Sequence, residues 1–169
     1  FLLITEHVMD ACGIKDMPNS CNANLYVDGH AQVGWHADDK SLFLANKQDA
    51  TIISLSLGAS RTFQFRPHDA PNYAGLITLN DGDLLTMEGL TQKHYTHTVQ
   101  KEEDVTLPRI NLTWRWITNH TPNCPFHSTS TTPNPLLSPP PTVTPAPPAL
   151  PPPLFNTLHN FLTPDVTPM

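Results

Sequence analysis

Polar and apolar residues alternate with a period of two through much of residues 1–120, and this pattern predicts short β-strands. The predicted strands are 23–27, 32–36, 51–57, 62–66, 76–79, 83–87, 94–99 and 109–117. The alternation is clearest in 109–117. Its apolar and polar faces are Ile110, Leu112, Trp114 and Trp116 against Arg109, Asn111, Thr113 and Arg115.

Turn-forming pairs such as Asp28-Gly29 and Glu88-Gly89 separate these runs. Only 1–12 has the pattern of a helix, with a predicted stop at Gly13. Eight short strands in about 100 residues are typical of an antiparallel double-sheet barrel or sandwich. The fold class is therefore predicted to be all-β with a minor helix, and we expect Met87 and Trp114 in its core.

Proline divides the chain of 169 residues into two parts, because fifteen of its 19 prolines follow residue 120. Residues 1–120 are long enough for one domain with one core. Residues 121–169 contain a single charged side chain, Asp165, and are predicted to be a Pro-rich disordered or polyproline-II tail. The tail could bind an aromatic groove, but it has no Lys or Arg to flank such a motif, so a solvated tail is favoured.

The formal net charge of −6 argues against a general polyanion-binding protein, although an enzyme can still hold a nucleotide through its pocket. Three cysteines without CxxC spacing indicate a reducing compartment. No secretory signal or apolar run of about 20 residues is visible. We expect an intracellular monomer, nuclear or cytoplasmic and not secreted, that does not contact a membrane. The first residue is not Met, which favours a fragment or processed product.

The segment Trp35-His36-Ala37-Asp38 places His36 and Asp38 on one face of an extended chain, where both could bind one ion. A third ligand must come from elsewhere, and His94 and His97 are the candidates. Two His and one carboxylate that leave other positions open are the ligand set of non-haem Fe(II) oxygenases. Alone, however, a His near an Asp is more often a surface pair.

Arg109 and Arg115 share a face and lie about 20 Å apart along a strand. Burying two guanidinium groups is costly unless each meets an anion. Their long side chains could bind the two ends of a small dicarboxylic acid such as 2-oxoglutarate. The alternative is that they form structural ion pairs with Asp81, Asp83 or Asp104.

Several motifs occur in an order that resembles the AlkB family of Fe(II)- and 2-oxoglutarate-dependent dioxygenases, especially its eukaryotic nucleic-acid demethylase branch. They are NLY at 24–26, WHADD at 35–39, ISLSLGASRTF at 53–63, GDLLTMEG at 82–89, TQ at 91–92 and PRINLTWR at 108–115. The resemblance covers residues 19–118. It implies a jelly-roll fold called the double-stranded β-helix.

The resemblance implies that His36, Asp38 and His97 are the catalytic Fe(II) ligands. His97 is selected because the family's distal His falls eight residues after the Gly that matches Gly89. His94 cannot share a face with His97 on a regular strand and is expected at the rim.

The co-substrate contacts are implied in the same way. Arg109 and Arg115 match the arginines that bind the two carboxylates of 2-oxoglutarate. Asn24 and Tyr26 match a pair that hydrogen-bonds the same molecule, and Asn111 matches a further polar contact.

The implied reaction is oxidative demethylation of an N-alkylated nucleobase, such as 1-methyladenine or 3-methylcytosine, in DNA repair or RNA demethylation. O₂ and 2-oxoglutarate are consumed, and formaldehyde, succinate and CO₂ are released. The target would be single-stranded or flipped out of a duplex. The implied substrate-binding residues are Asp39, Arg61, Arg66 and His68.

Two departures concern the substrate. Lys40 stands where the family usually has Glu near the target base, and only about 18 residues precede Asn19, where the family has a lid that holds nucleic acid. Two alternatives therefore stay open. One is a 2-oxoglutarate oxygenase acting on protein, lipid or a small molecule, and the other is a non-catalytic jelly-roll interaction domain.

Overall fold

The computed structural model describes residues 1–72, 74–120 and 122, together with the backbone of 154–158. Two helices and nine strands lie in these ranges. They are α1 (Leu2–Ala11), β1 (Ser20–Tyr26), β2 (Val33–His36), β3 (Ile52–Gly58), β4 (Arg61–Pro67), β5 (Gly75–Leu79), β6 (Leu84–Glu88), α2 (Thr91–His94), β7 (Tyr95–Val99), β8 (Arg109–Arg115) and β9 (Leu154–Leu158). None of the described helices is long and apolar enough to cross a membrane.

The strands form two antiparallel sheets. Within each sheet, strands from early and late parts of the chain lie next to each other. The major sheet has the order β1-β8-β3-β6-β9, and the minor sheet has the order β2-β7-β4-β5. Among the first eight strands, every consecutive pair except β4 and β5 passes from one sheet to the other, which is the winding of a double-stranded β-helix. The prediction of a jelly-roll fold is confirmed.

The space between the two sheets is closed by apolar side chains at one part of the inner faces. Its buried members are Tyr26, Ile52, Phe63, Leu79, Leu85, Met87 and Val99. Met87 therefore lies in the core, as predicted. The inward-facing residues of β8 are polar, and they line the site described below.

Helix α1 covers the outer face of the major sheet. Val8 and Met9 pack on Trp114, which is 1% exposed, and the Trp114 indole N–H donates a 3.1 Å hydrogen bond to the Thr5 hydroxyl. The helix ends at Ala11 with Cys12 as its C-cap, and the next residue, Gly13, has a φ of 67° that glycine readily adopts. Both the predicted helix end and the predicted burial of Trp114 are confirmed.

The closed end of the barrel depends on a close backbone contact at Gly29. Its N–H donates to the Val105 carbonyl at 2.7 Å, and the Glu102 N–H donates to the Gly29 carbonyl at 2.9 Å. A Cβ on Gly29 would lie 1.8 Å from the Glu102 carbonyl oxygen, so no larger residue fits without moving the backbone. Two distant loops are thereby held together.

Two elements differ from the sequence predictions. The short helix α2 was not predicted, since one turn carries little periodicity. Strand β9 pairs with β6 inside the segment 121–169 that was predicted to lack structure. The stretch 154–158 contains no proline, so its N–H groups are free to join a ladder. Apart from residue 122, the rest of this segment, including the proposed tail ligand motif, lies outside the described residues.

Candidate active site

The two predicted histidine ligands meet where β2 and β7 pair. His36 and His97 are direct partners in the antiparallel register, and their ring centroids lie 4.3 Å apart. Asp38, two residues beyond the end of β2, lines the same cavity. The structure therefore brings His36, Asp38 and His97 together, whereas His94 ends helix α2 and does not line this cavity.

We call this space the central cavity. Its lining is formed by Asn24, Tyr26, Val33, His36, Asp38, Ser54, Phe63, Met87, His97, Val99, Arg109, Asn111, Thr113 and Arg115. Five predicted co-substrate residues, which are Asn24, Tyr26, Arg109, Asn111 and Arg115, are thus in the same lining as the three predicted ligands.

The His36 imidazole is oriented by a contact to its own strand. Its Nδ1 lies 2.7 Å from the Gly34 carbonyl oxygen. Because a carbonyl only accepts, Nδ1 must carry the proton, and Nε2 keeps the lone pair that a metal requires. A carbonyl partner of this kind is typical of metal-binding histidines.

The His97 imidazole is kept neutral by its surroundings. It is 7% exposed, and burial, together with the adjacent His36, lowers its pKa to about 3. Phe63 lies nearly parallel to its ring, at 5.3 Å between centroids. A neutral imidazole at physiological pH retains a lone pair with which to bind a metal.

Asp38 is held at both its backbone and its side chain. Its N–H donates to Gln92 Oε1 at 2.9 Å, and its Oδ2 accepts a 2.8 Å bond from Arg115 Nη2. In the described part of the chain, no three His, Cys, Asp or Glu side chains are grouped so as to bind an ion as they are placed. The Asp38 carboxylate is instead paired with Arg115 through Oδ2.

Arg109 lies at the start of β8 and is 2% exposed. Its Nη2 donates to Ser56 Oγ at 2.9 Å and to Asn111 Oδ1 at 2.8 Å. Asn111 in turn accepts from Ser54 and donates to Thr113. Burial lowers the pKa of Arg109. The guanidinium is therefore fixed by neutral oxygens that do not neutralise its charge.

The orphaned nitrogens of Arg109 and Arg115 show what the cavity can bind. In each residue Nε and Nη1 are buried and have no hydrogen-bond partner. A buried N–H that lacks a partner costs about 1–3 kcal/mol, and more when the group is charged. A carboxylate at each guanidinium would remove that cost through paired, charge-assisted bonds. The two arginines thus fit a molecule with two acidic groups.

The predicted alternative for these arginines was a structural pair with Asp81, Asp83 or Asp104. Among the described residues, Arg115 pairs instead with Asp38, and Asp81 accepts a hydrogen bond from the Gly58 N–H.

The central cavity has a volume of about 60 Å³. A second cavity of about 260 Å³ also contacts Arg115 and is lined partly by Phe43, Gln48 and Trp116.

Three of the predicted substrate contacts lie outside the central cavity. Arg66, on the outer face of the minor sheet, places its guanidinium carbon 4.0 Å from the centroid of the Trp35 ring. His68 and Asp39 are exposed. Trp35 is half-buried, contacts Arg66 and does not line the cavity.

The fourth predicted substrate contact, Arg61, is wrong. Its side chain is 1% exposed and donates to the backbone carbonyls of Asp28, Gly29, Ala31 and Gln100. It belongs to the interior and cannot reach a phosphate. Strand periodicity offered a signal, since Arg61 has the parity of Phe63 and faces inward, opposite to Arg66.

Sequence reasoning also missed polar residues that hold the site. Gln92 is 1% exposed and fixes the Asp38 backbone, while Ser54 and Ser56 support Asn111 and Arg109. The two serines alternate with Ile53 and Leu55 in β3, which indicated that they share an inward face. Gln92 lies on the one-turn helix and had no signal in the periodicity, although the TQ motif at 91–92 is part of the family resemblance.

The comparison with known families agrees with this chemistry. Residues 1–115 match the family model of the 2OG-Fe(II) oxygenase superfamily, which is more than half of the 169 residues. The chain belongs to this superfamily. The superfamily is named for 2-oxoglutarate and iron. The paired guanidiniums suit the carboxylates of 2-oxoglutarate, and the two His and one Asp suit iron.

Within the superfamily the chain is AlkB-like. It is 39% identical over 107 residues to alpha-ketoglutarate-dependent dioxygenase alkB homolog 3 of Mus musculus, covering 59% of this chain and 36% of that protein. It is 32% identical over 121 residues to DNA oxidative demethylase ALKBH2 of Homo sapiens, covering 68% of this chain and 44% of that protein. The chain thus spans less than half the length of these two relatives.

A solved structure has the same fold. The structure of OsALKBH1 superimposes with a TM-score of 0.55 and 18% sequence identity, covering 69% of this chain and 64% of that one. This likeness agrees with the double-stranded β-helix. The predicted resemblance to AlkB-type oxygenases is confirmed.

Proposed function

We propose that the protein is an Fe(II)- and 2-oxoglutarate-dependent dioxygenase that removes N-linked methyl groups from nucleobases in DNA or RNA. The observation that carries the proposal is one cavity lined by His36, Asp38, His97 and two buried arginines with unpaired N–H groups. A purely structural domain has no use for these costly groups in one place.

The metal would be held by His36, Asp38 and His97. When bound, iron with 2-oxoglutarate and O₂ supplies the oxidation of the methyl group, with formaldehyde, succinate and CO₂ as products. The protein contributes the neutral state of His97, the protonated Nδ1 of His36 and the backbone position of Asp38.

The diacid would bind between the two arginines of β8. Arg115 contacts Asp38 and therefore lies beside the metal ligands, whereas Arg109 lies at the other end of the strand. We assign the carboxylate nearer the metal to Arg115 and the remote carboxylate to Arg109, with Asn24, Tyr26 and Asn111 as polar neighbours. The buried lining around them excludes water from the reacting atoms.

A nucleic-acid substrate is supported at the outer rim. The Arg66 guanidinium contacts the ring of Trp35, which directly precedes His36, and bases stack on guanidinium and aromatic planes. His68 follows Arg66 by two residues, and Asp39 follows His36 by three. Together these residues offer few phosphate contacts at the rim, which agrees with the net charge of −6. We therefore infer a single-stranded or flipped-out target, held mainly by its modified base. Such substrates place the protein in the nucleus or cytoplasm.

The test uses purified protein, Fe(II), 2-oxoglutarate and a single-stranded oligonucleotide that contains 1-methyladenine or 3-methylcytosine. We expect formaldehyde and the unmodified base in equal amounts. His36→Ala should abolish both products, and His30→Ala, a change at an exposed histidine, should not. Formaldehyde no higher than that of His36→Ala would contradict the proposal.

The acidic charge also favours a second candidate, an oxygenase of the same type whose substrate is a protein, lipid or small molecule. Turnover of 2-oxoglutarate with a peptide or lipid, but not with an oligonucleotide, would support it. A non-catalytic domain is tested by adding Fe(II) and 2-oxoglutarate without oxygen. We expect a visible charge-transfer band and a raised melting temperature, and a colourless mixture with an unchanged melting temperature would favour the non-catalytic alternative.

A further inference from the structure

Arg61 is one of the most deeply buried charged side chains in the described part of the chain, at 1% exposure. Its Nη2 donates to the Ala31 carbonyl at 2.9 Å and to the Gln100 carbonyl at 2.5 Å, and its Nη1 donates to the Asp28 carbonyl at 3.2 Å. The guanidinium therefore joins two loops with its charge intact. Although Arg61 does not line the central cavity, such a charge can affect the electrostatic potential inside it.

Tyr26 links Arg61 to the central cavity. The Tyr26 ring, 5% exposed, lines that cavity, and the guanidinium carbons of Arg61 and Arg109 lie 5.4 Å and 5.1 Å from its centroid. Both distances are within the range of a cation–π contact. One aromatic ring thus contacts two cations, one of which faces the cavity.

The charges around this end of the cavity do not balance. Among the described residues, the ion pairs are Arg115 with Asp38 and Arg61 with Glu102, whose Oε1 lies 3.5 Å from Arg61 Nε. Glu102 is partly solvent-exposed, with 29% of its side chain accessible, whereas Arg61 is not. Solvent screens the exposed carboxylate more than the buried cation, so positive potential remains beside Arg109.

We propose that Arg61 is a positioning residue for the remote carboxylate of 2-oxoglutarate. It holds Tyr26 against Arg109 and adds a second positive charge behind the Arg109 contact. The inference rests on the proposed function, because it assumes that the central cavity binds this diacid. It extends that function by explaining why the cavity would bind a diacid more tightly than a monoacid of equal length.

The experiment measures binding of 2-oxoglutarate and of 2-oxopentanoate, which has the same five carbons without the remote carboxylate. Titration calorimetry on the full chain with Mn(II) and without oxygen gives both affinities in the absence of turnover. Arg61→Met should weaken 2-oxoglutarate binding about tenfold, the value of one charge-assisted contact, and change 2-oxopentanoate binding by less than about twofold. Arg61→Lys should restore part of the preference, because it keeps the charge but not the planar fork.

Glu102→Gln is the matched control. It removes the ion-pair partner of Arg61 and loosens the same loops, but it leaves the contact between Arg61 and Tyr26 in place. We expect a lower melting temperature with a ratio of the two affinities that does not fall, because removal of the Glu102 charge leaves that of Arg61 less offset. If Arg61→Met does not fold, Arg61→Lys carries the test, with a ratio below that of the wild type.

The outcomes separate the two proposals. A wild-type ratio in the Arg61 variants, or an equal change of the ratio in Glu102→Gln, would overturn the role of Arg61 and leave the proposed function intact. Failure of the wild-type protein to bind 2-oxoglutarate would overturn both.

Discussion

Arg115 and Asp38 are bound to each other inside the central cavity, through a 2.8 Å contact between Nη2 and Oδ2. Each of these groups also has a proposed ligand, the diacid for Arg115 and the metal for Asp38. The carboxylate reduces the attraction of Arg115 for the diacid in the metal-free protein, while Nε and Nη1 of Arg115 remain without a hydrogen-bond partner.

The first prediction follows from this pairing. In the metal-free protein, Asp38→Asn should strengthen 2-oxoglutarate binding about fivefold, because a neutral amide holds Arg115 less tightly than a carboxylate does. Calorimetry without metal measures the change. Asp39→Asn, at the exposed neighbouring position, should leave the affinity unchanged. Weaker binding in Asp38→Asn would show that the pair does not restrain Arg115.

The second prediction concerns acid sensitivity. His97 has a pKa of about 3 in the folded protein, against about 6.5 when exposed. Between these values the unfolded chain binds more protons, so acidification favours unfolding. The free energy of unfolding of the metal-free protein should fall by up to about 1.4 kcal/mol per pH unit below about pH 6.5 through this residue.

Urea titrations across this pH range measure the effect. His97→Gln should flatten the dependence relative to the wild type, and His30→Ala should not, since His30 is exposed. Parallel slopes for the wild type and His97→Gln would mean that His97 does not remain neutral.

The third prediction tests the backbone contact at the closed end of the barrel. Gly29→Ala should destabilise the protein by about 3 kcal/mol, because the added methyl group overlaps the Glu102 carbonyl. Thermal or urea unfolding gives the difference. Gly34→Ala is the control, since a Cβ there meets nothing within 4 Å. Equal stability of the two variants would contradict the contact.

The fourth prediction concerns recognition of the base. Lys40 is exposed and lies two residues after Asp38, and under the proposed function its charge would lie near the target base. Lys40→Glu should change the ratio of activity on cationic 1-methyladenine to that on a neutral alkylated base by about threefold or more in favour of the cation, through local attraction. Lys47→Glu, with the same charge change at another exposed position, should leave the ratio unchanged.

Some parts of the structure could be predicted because they depend on strand periodicity. In β8 the apolar and polar positions alternate without exception, so the common face of Arg109, Asn111 and Arg115 followed from the residues alone. Periodicity was less decisive for the third ligand, because it did not by itself choose between His94 and His97. That choice rested on the family resemblance, and the structure places His97 opposite His36.

Other parts depend on tertiary contacts that local patterns do not contain. The partner of Arg115 is a carboxylate 77 positions away, and Gln92 contacts a backbone N–H 54 positions away. Arg61 was predicted as a substrate contact from the family resemblance, whereas its parity with Phe63 indicates an inward side chain. Its four carbonyl partners come from loops whose approach depends on the small size of Gly29.

Strand β8 lies between two chemical environments, with helix α1 on one side and the central cavity on the other. Of its seven residues, Ile110 alone is exposed. A substitution elsewhere in the strand disturbs either hydrophobic packing or ligand contacts, and a shift of one residue in pairing would exchange the two environments completely. Substitutions in this strand should therefore be tolerated less well during evolution than substitutions in any surface loop. An insertion within the strand should abolish both folding and catalysis.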